Sequence, residues 1–196
     1  MTETAFRIFE EFYRSTLQAM VPQGEALLRR TDAGRWRALS FRSTFSVSAM
    51  TEISRIIEDA ALASRGTADL HVSFQQLSRL LPQESRYRGI AAAVRGLWIY
   101  GAFDVPDPAR FRWNSRVRLI DTGRTPLEAY WLVVAYGPGL SMSLVAREVP
   151  SVVGPGRFYE GFYTFEATVA FEILTLLHLI FPDQVPTPTP MEQMRE

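Results

Sequence analysis

Apolar residues recur at steps of three and four near the start of the chain, and this spacing predicts an amphipathic helix over residues 3–20. The apolar stripe consists of Phe6, Phe9, Tyr13, Leu17 and Met20, and Ile8 and Phe12 widen it. A second short helix over 24–30 and a turn at 31–34 are expected to follow. Two uses of the first helix stay open: it packs onto the body of its own domain, or it docks a partner, including a second copy of the chain in a homodimer.

After this region, the spacing of apolar residues alternates along the chain between the period of a strand and the period of a helix. Residues 36–47 are expected to be extended. Ser48 stands where a helix N-cap would, and the apolar spacing after it predicts a helix to about residue 64. Strict alternation over 70–75 predicts a strand. Pro82 is expected to open the next helix, at a position where its missing N–H costs nothing.

The second half of the chain has mainly the character of strands. Residues 97–103 are apolar on both faces, which is typical of a central strand covered by helices. Residues 116–121 predict a short strand near an edge. Gly137-Pro138-Gly139 separates two apolar runs, which indicates a hairpin over 130–148. A last helix is expected over about 162–181.

This order of elements predicts a single α/β domain. Its mixed sheet would contain about five strands, with a parallel start and an antiparallel hairpin, flanked by helices. Residues 1–40 would form a helical N-terminal extension and residues 41–182 the domain itself. Residues 183–196 are rich in proline and are expected to be an extended, disordered tail.

Charge and composition narrow the function classes. The 21 basic residues balance the 21 acidic residues, whereas a nucleic-acid-binding protein usually carries a basic excess, so no nucleic-acid partner is expected. The chain lacks cysteine, which excludes disulfides, thiolate catalysis and cysteine–zinc sites. No targeting signal and no apolar run of bilayer length is found, so a cytoplasmic protein without a membrane partner is predicted.

Catalytic and metal-binding patterns are poorly represented. The two histidines, His71 and His178, form no helical pair and lie near no cluster of carboxylates, so no metal site is predicted. No glycine-rich phosphate loop and no nucleophile elbow occur. The sequence therefore predicts a protein that is not an enzyme and assigns it no catalytic residue.

The end of the strand over 70–75 is the best candidate for a binding site. His71, Ser73 and Gln75 share one face of that strand, and Phe74 lies at its carboxyl end, where α/β sheets tend to bind ligands. The start of the following helix is expected to bring Arg86 and Tyr87 within reach. An ordinary half-exposed strand is the alternative.

Two further groups are candidates with a structural alternative. Glu58 and Asp59 are adjacent on a helix and point about 100° apart, so we expect them not to converge; one would face a ligand or cap a loop. The aromatic residues over 158–165 line a cavity or pack a core. The complete set of proposed ligand- or partner-binding residues is Ser73, Phe74, Gln75, Glu58, Arg86, Tyr87 and Phe162.

Two groups of short motifs resemble one known family. The first runs from Ile53-Ser54-Arg55-Ile56-Ile57-Glu58-Asp59-Ala60-Ala61-Leu62 through Phe74-Gln75 to Arg86-Tyr87-Arg88. The second runs from Trp131-Leu132-Val133-Val134 to Glu160-Gly161-Phe162-Tyr163-Thr164-Phe165. In order and spacing they resemble the two halves of the DICT sensory domain, a bacterial signal-input module named for diguanylate cyclases and two-component systems.

The resemblance implies a stand-alone module for sensing and signal transduction, with a suspected link to the light response. No DNA-binding, kinase or cyclase domain accompanies it in this sequence, so the signal is expected to pass in trans to an unidentified signalling protein: a kinase, a photoreceptor or a transcription regulator. The resemblance names neither the ligand nor a cofactor. The alternative is an adaptor or oligomerisation protein that does not sense and acts through the helix over 3–20.

Overall fold

The computed structural model describes residues 2–20, 41–150 and 156–194. The short helix and the turn expected over 24–34 lie outside these residues. The described helices and strands follow in the order α1 (Thr2–Ala19), β1 (Phe41–Ser46), α2 (Val47–Ala63), β2 (Asp69–Gln76), α3 (Glu84–Ala93), β3 (Gly96–Ala102), β4 (Val117–Asp121), β5 (Tyr130–Gly137), β6 (Leu140–Val149), β7 (Phe158–Thr164) and α4 (Ala167–Ile180). A 3₁₀ helix, Leu77–Gln83, connects β2 to α3.

The described strands form one mixed sheet in the order β1-β7-β6-β5-β2-β3-β4. Strands β2, β3 and β4 are mutually parallel, and the remaining neighbours, including β2 with β5, are antiparallel. The predicted α/β class, parallel start and antiparallel hairpin are confirmed, and Gly137 pairs with Leu140 across the turn. The predicted number of about five strands is wrong, because this sheet has seven.

Strand β7 accounts for much of that error. The apolar pattern predicts that the last helix begins at about residue 162, but Phe158–Thr164 is a strand held between β1 and β6. Its central Gly161 lies so close to β6 that an added Cβ atom would stand 2.3 Å from the Cβ atom of Ala146. Apolar residues point to both faces of this strand because helices cover the sheet on both sides. The helical pattern begins only at Ala167.

Each face of the sheet has its own apolar core. The first face, under α2 and α3, is filled by residues such as Phe45, Ile53, Ile57, Leu70, Val72, Leu97, Ile99 and Leu144. The second face, under α1 and α4, is filled by residues such as Phe9, Trp98, Tyr100, Tyr130, Leu132, Val134, Ile173 and Leu177. Alternate residues of each strand therefore enter different cores.

Helix α1 packs onto the second face of its own sheet. Phe9 and Tyr13 each place their rings 5.2 Å from the ring of Tyr130, and the Tyr13 hydroxyl donates to the carbonyl oxygen of Glu160 at 2.6 Å. Ile8, on another side of the helix, stays 41% exposed. The apolar stripe is therefore used within the chain, and a homodimer through residues 3–20 remains a proposal.

The proline-rich segment after α4, expected to be extended and disordered, begins with a turn at 182–184, has no regular structure over 186–190 and ends with a 3₁₀ helix, Met191–Gln193. It contacts the second face of the sheet. The indole N–H of Trp98 donates to the backbone carbonyl oxygen of Gln184 at 3.0 Å, and the hydroxyl of Tyr136 donates to the backbone carbonyl oxygen of Thr189 at 3.0 Å. Val185 is buried among apolar residues of this face. Long-range contacts of this kind cannot be seen in the local composition.

Two helix starts differ from the sequence expectations. Ser46 caps α2 instead of Ser48, since the backbone N–H of Ala49 donates to the Ser46 hydroxyl at 3.3 Å. Pro82 lies inside the 3₁₀ helix, and α3 begins at Glu84. Within the described ranges, no helix is long and apolar enough to cross a membrane.

Candidate functional site

A β-bulge at the end of β2 determines where Gln75 points. Ser73 pairs with Tyr100 of β3 and Gln75 with the next residue, Gly101, so Phe74 is an extra residue in β2. Gln75 has a φ of 63°, in the left-handed region that few residues other than glycine occupy. Such a bulge changes the direction of the side chains that follow it. Gln75 consequently contacts Tyr159 in the core of the first face, whereas His71 lies in the second.

Gln75 is the centre of a buried polar network. Its side-chain oxygen accepts hydrogen bonds from Arg79, from Arg157 at 2.8 Å and from the hydroxyl of Tyr159 at 3.0 Å. Its amide nitrogen donates to Glu148 at 3.5 Å. Only 4% of Gln75 is exposed, so the expectation of a half-exposed strand end is wrong at this residue. One side chain joins β2, the 3₁₀ helix, β6 and β7.

Arg157 closes this network at the start of β7. Its guanidinium donates to both carboxylate oxygens of Glu148, at 2.8 and 2.6 Å, and lies 5.4 Å from the ring centre of Tyr159. The hydrogen bond from Arg157 is the main cause that lowers the pKa of Glu148. The charges of Arg157 and Glu148 therefore compensate each other.

The bulge and α2 enclose a cavity of about 200 Å³ on the first face of the sheet. Its apolar lining consists of Val47, Val72, Phe74, Trp131 and Val133. Its polar and charged lining includes Thr51, Ser54, Arg55, Glu58, Ser73, Gln75, Arg79, Gln83, Tyr87 and Arg157. The indole N–H of Trp131 donates to the Ser54 hydroxyl at 3.0 Å, which fixes the orientation of the largest apolar wall.

Glu58 is a buried carboxylate in the wall of this cavity, with 2% of its surface exposed. The Tyr87 hydroxyl donates to one of its oxygens at 2.5 Å and the Arg86 Nε atom to the other at 2.6 Å. Burial nevertheless raises the pKa of Glu58 above its usual value. Arg86 also donates to Asp59 at 2.9 Å. Glu58 and Asp59 point apart as expected, since Glu58 lines the cavity and Asp59 is 61% exposed, but the planar fork of one guanidinium reaches both.

The structure brings together most of the residues proposed from the sequence. Five of them line the cavity: Ser73, Phe74, Gln75, Glu58 and Tyr87. Arg86 lies behind Glu58 and holds it by an ion pair. Phe162 is elsewhere, in the core of the second face, where its ring lies 6.2 Å from that of Tyr13. Its place on a strand, where the sequence analysis expected a helix, explains this separation.

Sequence reasoning missed ten of the fifteen cavity residues, and four of these matter most for the site: Arg55, Arg79, Trp131 and Arg157. Arg55 lies one helical turn before Glu58 on α2, and this spacing of three residues could have indicated a shared face. Arg79 follows Gln75 by four residues through the bulge and the 3₁₀ helix. No local pattern connects Trp131 or Arg157 to β2, because β-sheet pairing alone brings them close.

The part of the chain that the structure describes places neither a metal-binding cluster nor a histidine at the cavity. It contains no group of three or more His, Asp or Glu side chains that could hold a metal ion. His71 lies on the other side of the sheet, stacked 4.4 Å from Trp98 and hydrogen-bonded to the Tyr100 hydroxyl at 2.9 Å. Burial lowers the pKa of His71 to about 3, so it is neutral near pH 7.

Comparisons with known proteins are consistent with this picture. Comparison with curated proteins and with solved structures finds no match. The family model for the sensory domain in diguanylate cyclases and two-component systems, DICT, matches residues 13–149. The match begins inside α1, ends with β6 and includes every cavity residue except Arg157. The chain belongs to the DICT family of sensory domains.

Proposed function

We propose that this DICT-family chain binds a small ligand in the cavity between α2 and the first face of the sheet and passes the resulting signal to a separate signalling protein. The family is a sensory one, and a sensory domain requires a place for its signal. The observation that carries the proposal is the cavity of about 200 Å³ beside the bulge of β2. An apolar lining with a few convergent polar groups is typical of small-molecule sites.

The polar network around Gln75 is suited to transmit occupancy of the cavity. A ligand changes the output only if it binds two conformations with different affinity. Leu77 and Leu80 anchor the 3₁₀ helix in the core, so we do not propose this connection between β2 and α3 as the movable element. We propose instead that the ligand changes which donors Gln75 accepts, and that this alters the contact between Arg157 and Glu148.

The output partner and the light response rest on the family alone. The partner would be a kinase, a photoreceptor or a transcription regulator that binds the domain in trans. A role in the light response would require a chromophore, in this cavity or in the partner. An absorption spectrum of the purified protein in the near-ultraviolet and visible range tests the first case, and a spectrum that shows only the aromatic band near 280 nm, about where tyrosine and tryptophan absorb, would contradict it.

Filling the cavity tests the binding function directly. Thr51 lies on the cavity wall contributed by α2, and Thr51→Phe would place a phenyl ring at the entrance. The neighbouring Glu52 is exposed and does not line the cavity, so Glu52→Phe is the matched control. The indole N–H resonance of Trp131, which lies in the wall, reports occupancy in a ¹H–¹⁵N NMR spectrum. Benzoate, benzamide and benzyl alcohol serve as probes.

We expect at least one of these probes to shift the Trp131 resonance in the wild type and in Glu52→Phe, and to bind at least tenfold more weakly to Thr51→Phe. A probe that can no longer bury the apolar surface of its ring in the cavity loses enough binding free energy for a tenfold weaker affinity. Equal binding to Thr51→Phe and Glu52→Phe would place the ligand outside the cavity and contradict the proposal. Melting curves of both variants show whether each is folded.

A further inference from the structure

We infer that the ligand of this cavity is a small organic anion, with its carboxylate against Arg79 and Arg55 and its apolar part against Trp131 and Phe74. This inference rests on the proposed function, since it names the ligand class of the same site. It follows from the charges that remain in the cavity lining after all ion pairs among the described residues are assigned.

The acidic group that lines the cavity is already compensated. Both oxygens of Glu58 accept hydrogen bonds, one from Tyr87 and one from Arg86. Of the basic residues in the lining, Arg157 is paired with Glu148. Arg86 also pairs with Asp59, so this side of the cavity carries no positive charge that lacks a partner.

Two arginines of the lining lack such a partner. Among the residues that the structure describes, neither Arg55 nor Arg79 has a carboxylate oxygen within 4.0 Å. Arg55 comes from α2 and Arg79 from the 3₁₀ helix, and both border the same cavity. Arg79 acts on Glu148 and Asp104 only at longer range. Two guanidinium groups without a carboxylate in contact can bind an anion beside an apolar wall, and a guanidinium binds carboxylates well because its fork matches their geometry.

The hydrogen bond that Arg79 makes is also replaceable. Its acceptor, the side-chain oxygen of Gln75, takes donors from Arg79, Arg157 and Tyr159 at once, although an amide oxygen has two lone pairs. One of the three donors is therefore poorly satisfied. A carboxylate in the cavity would accept from Arg79 and leave Gln75 with two donors, which couples the anion to the network of Gln75.

The size of the cavity limits the apolar part of the ligand. An apolar cavity of about 150 Å³ holds one benzene molecule, and this cavity has about 200 Å³. One aromatic ring or a short branched chain, together with one carboxylate, fits this volume. The wall offered by Trp131, Phe74 and Val133 is suited to such a group.

Benzoate and benzamide provide a matched pair of probes, because they share shape and differ in charge. We expect calorimetry and the Trp131 indole N–H resonance to show that the wild type binds benzoate at least about tenfold more tightly than benzamide, which is the effect of one charge-assisted hydrogen bond. Arg79→Gln should remove this preference, and Arg55→Gln should reduce it less because Arg55 is exposed. The exposed Arg112, which lies outside the cavity, provides the control Arg112→Gln, which should behave as the wild type does.

Salt provides a second measurement that needs no variant. Raising the salt concentration should weaken benzoate binding and leave benzamide binding unchanged, because screening acts on the charge alone. If benzamide binds as tightly as benzoate and Thr51→Phe blocks both, the cavity is a binding site and the inference of an anionic ligand is wrong. If neither compound shifts the Trp131 resonance at millimolar concentration, both the inference and the proposed function are overturned.

Discussion

Truncation of Arg86 removes a cation that is paired with the buried carboxylate of Glu58. In Arg86→Ala, Glu58 keeps the hydroxyl of Tyr87 and loses the charged donor at 2.6 Å. The side chain of Arg86 is itself partly exposed, but its truncation should be costly because its partner Glu58 is 2% exposed.

The magnitude follows from the environment of the pair. A hydrogen bond to a charged group contributes about 1.5–3 kcal/mol, and a buried acceptor left with one donor costs a comparable amount. The side chain of Arg86 is 33% exposed, so water can replace part of the guanidinium, and we take the lower part of this range, about 2 kcal/mol. The bond to the exposed Asp59 adds little. For a domain of this size the melting temperature should fall by about 4–8 °C.

The dependence on pH identifies the cause. Burial raises the pKa of Glu58, whereas Arg86 acts to lower it, so Arg86→Ala should raise that pKa further. When folding raises the pKa of a carboxyl group, the protonated form favours the folded state at a pH below the pKa of the unfolded state. This advantage is lost as the pH rises through the pKa of the folded state. The cost of Arg86→Ala should therefore be greatest near pH 7 and shrink as the pH falls through the raised pKa of Glu58.

Urea denaturation at several pH values, followed by circular dichroism, measures this cost. Arg88→Ala on the same helix is the matched control, since Arg88 is exposed and pairs with Glu84 at the surface; its stability should stay close to that of the wild type. If Arg86→Ala and Arg88→Ala are equally stable at pH 7, the buried ion pair does not contribute as argued. A cost that is independent of pH would show that lost packing, not the charge on Glu58, is responsible.

Two further predictions concern β7 and α1. Gly161→Ala should lower the free energy of unfolding by about 2–3 kcal/mol, because the new Cβ atom would lie 2.3 Å from the Cβ atom of Ala146. Gly89→Ala in α3 should raise the free energy of unfolding by about 0.5–1 kcal/mol, because no atom lies within 4 Å of the added Cβ atom. Denaturation curves that do not separate the two variants would contradict this account. Ile8→Glu should halve the mass measured by light scattering without changing the melting temperature, if the proposed homodimer uses the exposed side of α1; equal masses would refute that dimer.

Local patterns predicted those parts of the fold that local forces determine. The turn at Pro138–Gly139, the edge position of β4 and the doubly covered strand β3 were correctly predicted, since turn chemistry and apolar alternation are visible within a few residues. Strand β7 could not be recognised in this way. Its Phe158–Thr164 run is apolar toward both cores, and periodicity alone does not distinguish such a strand from a buried helix.

The candidate site shows the same division between local and distant causes. Sequence order was enough to associate Phe74 and Gln75 with Tyr87, because a strand, a short connection and a helix follow one another there. The bulge carries no local signal: the alternation simply continues through Ser73, Phe74 and Gln75. What turns Gln75 toward the first face is the pairing with Gly101 and the donors from Arg157 and Tyr159, which are separated from it by 26 to 84 residues.

Of all sequence properties, the total charge gave the least information about the candidate site. A balance of 21 basic and 21 acidic residues argues against a nucleic-acid partner, but it says nothing about which charges remain once side chains pair. Folding assigns Arg86 to Glu58 and Arg157 to Glu148, and thereby leaves Arg55 and Arg79 beside a cavity of small-molecule size. A neutral protein can in this way present a locally positive site, and selectivity for an anion depends on that local excess.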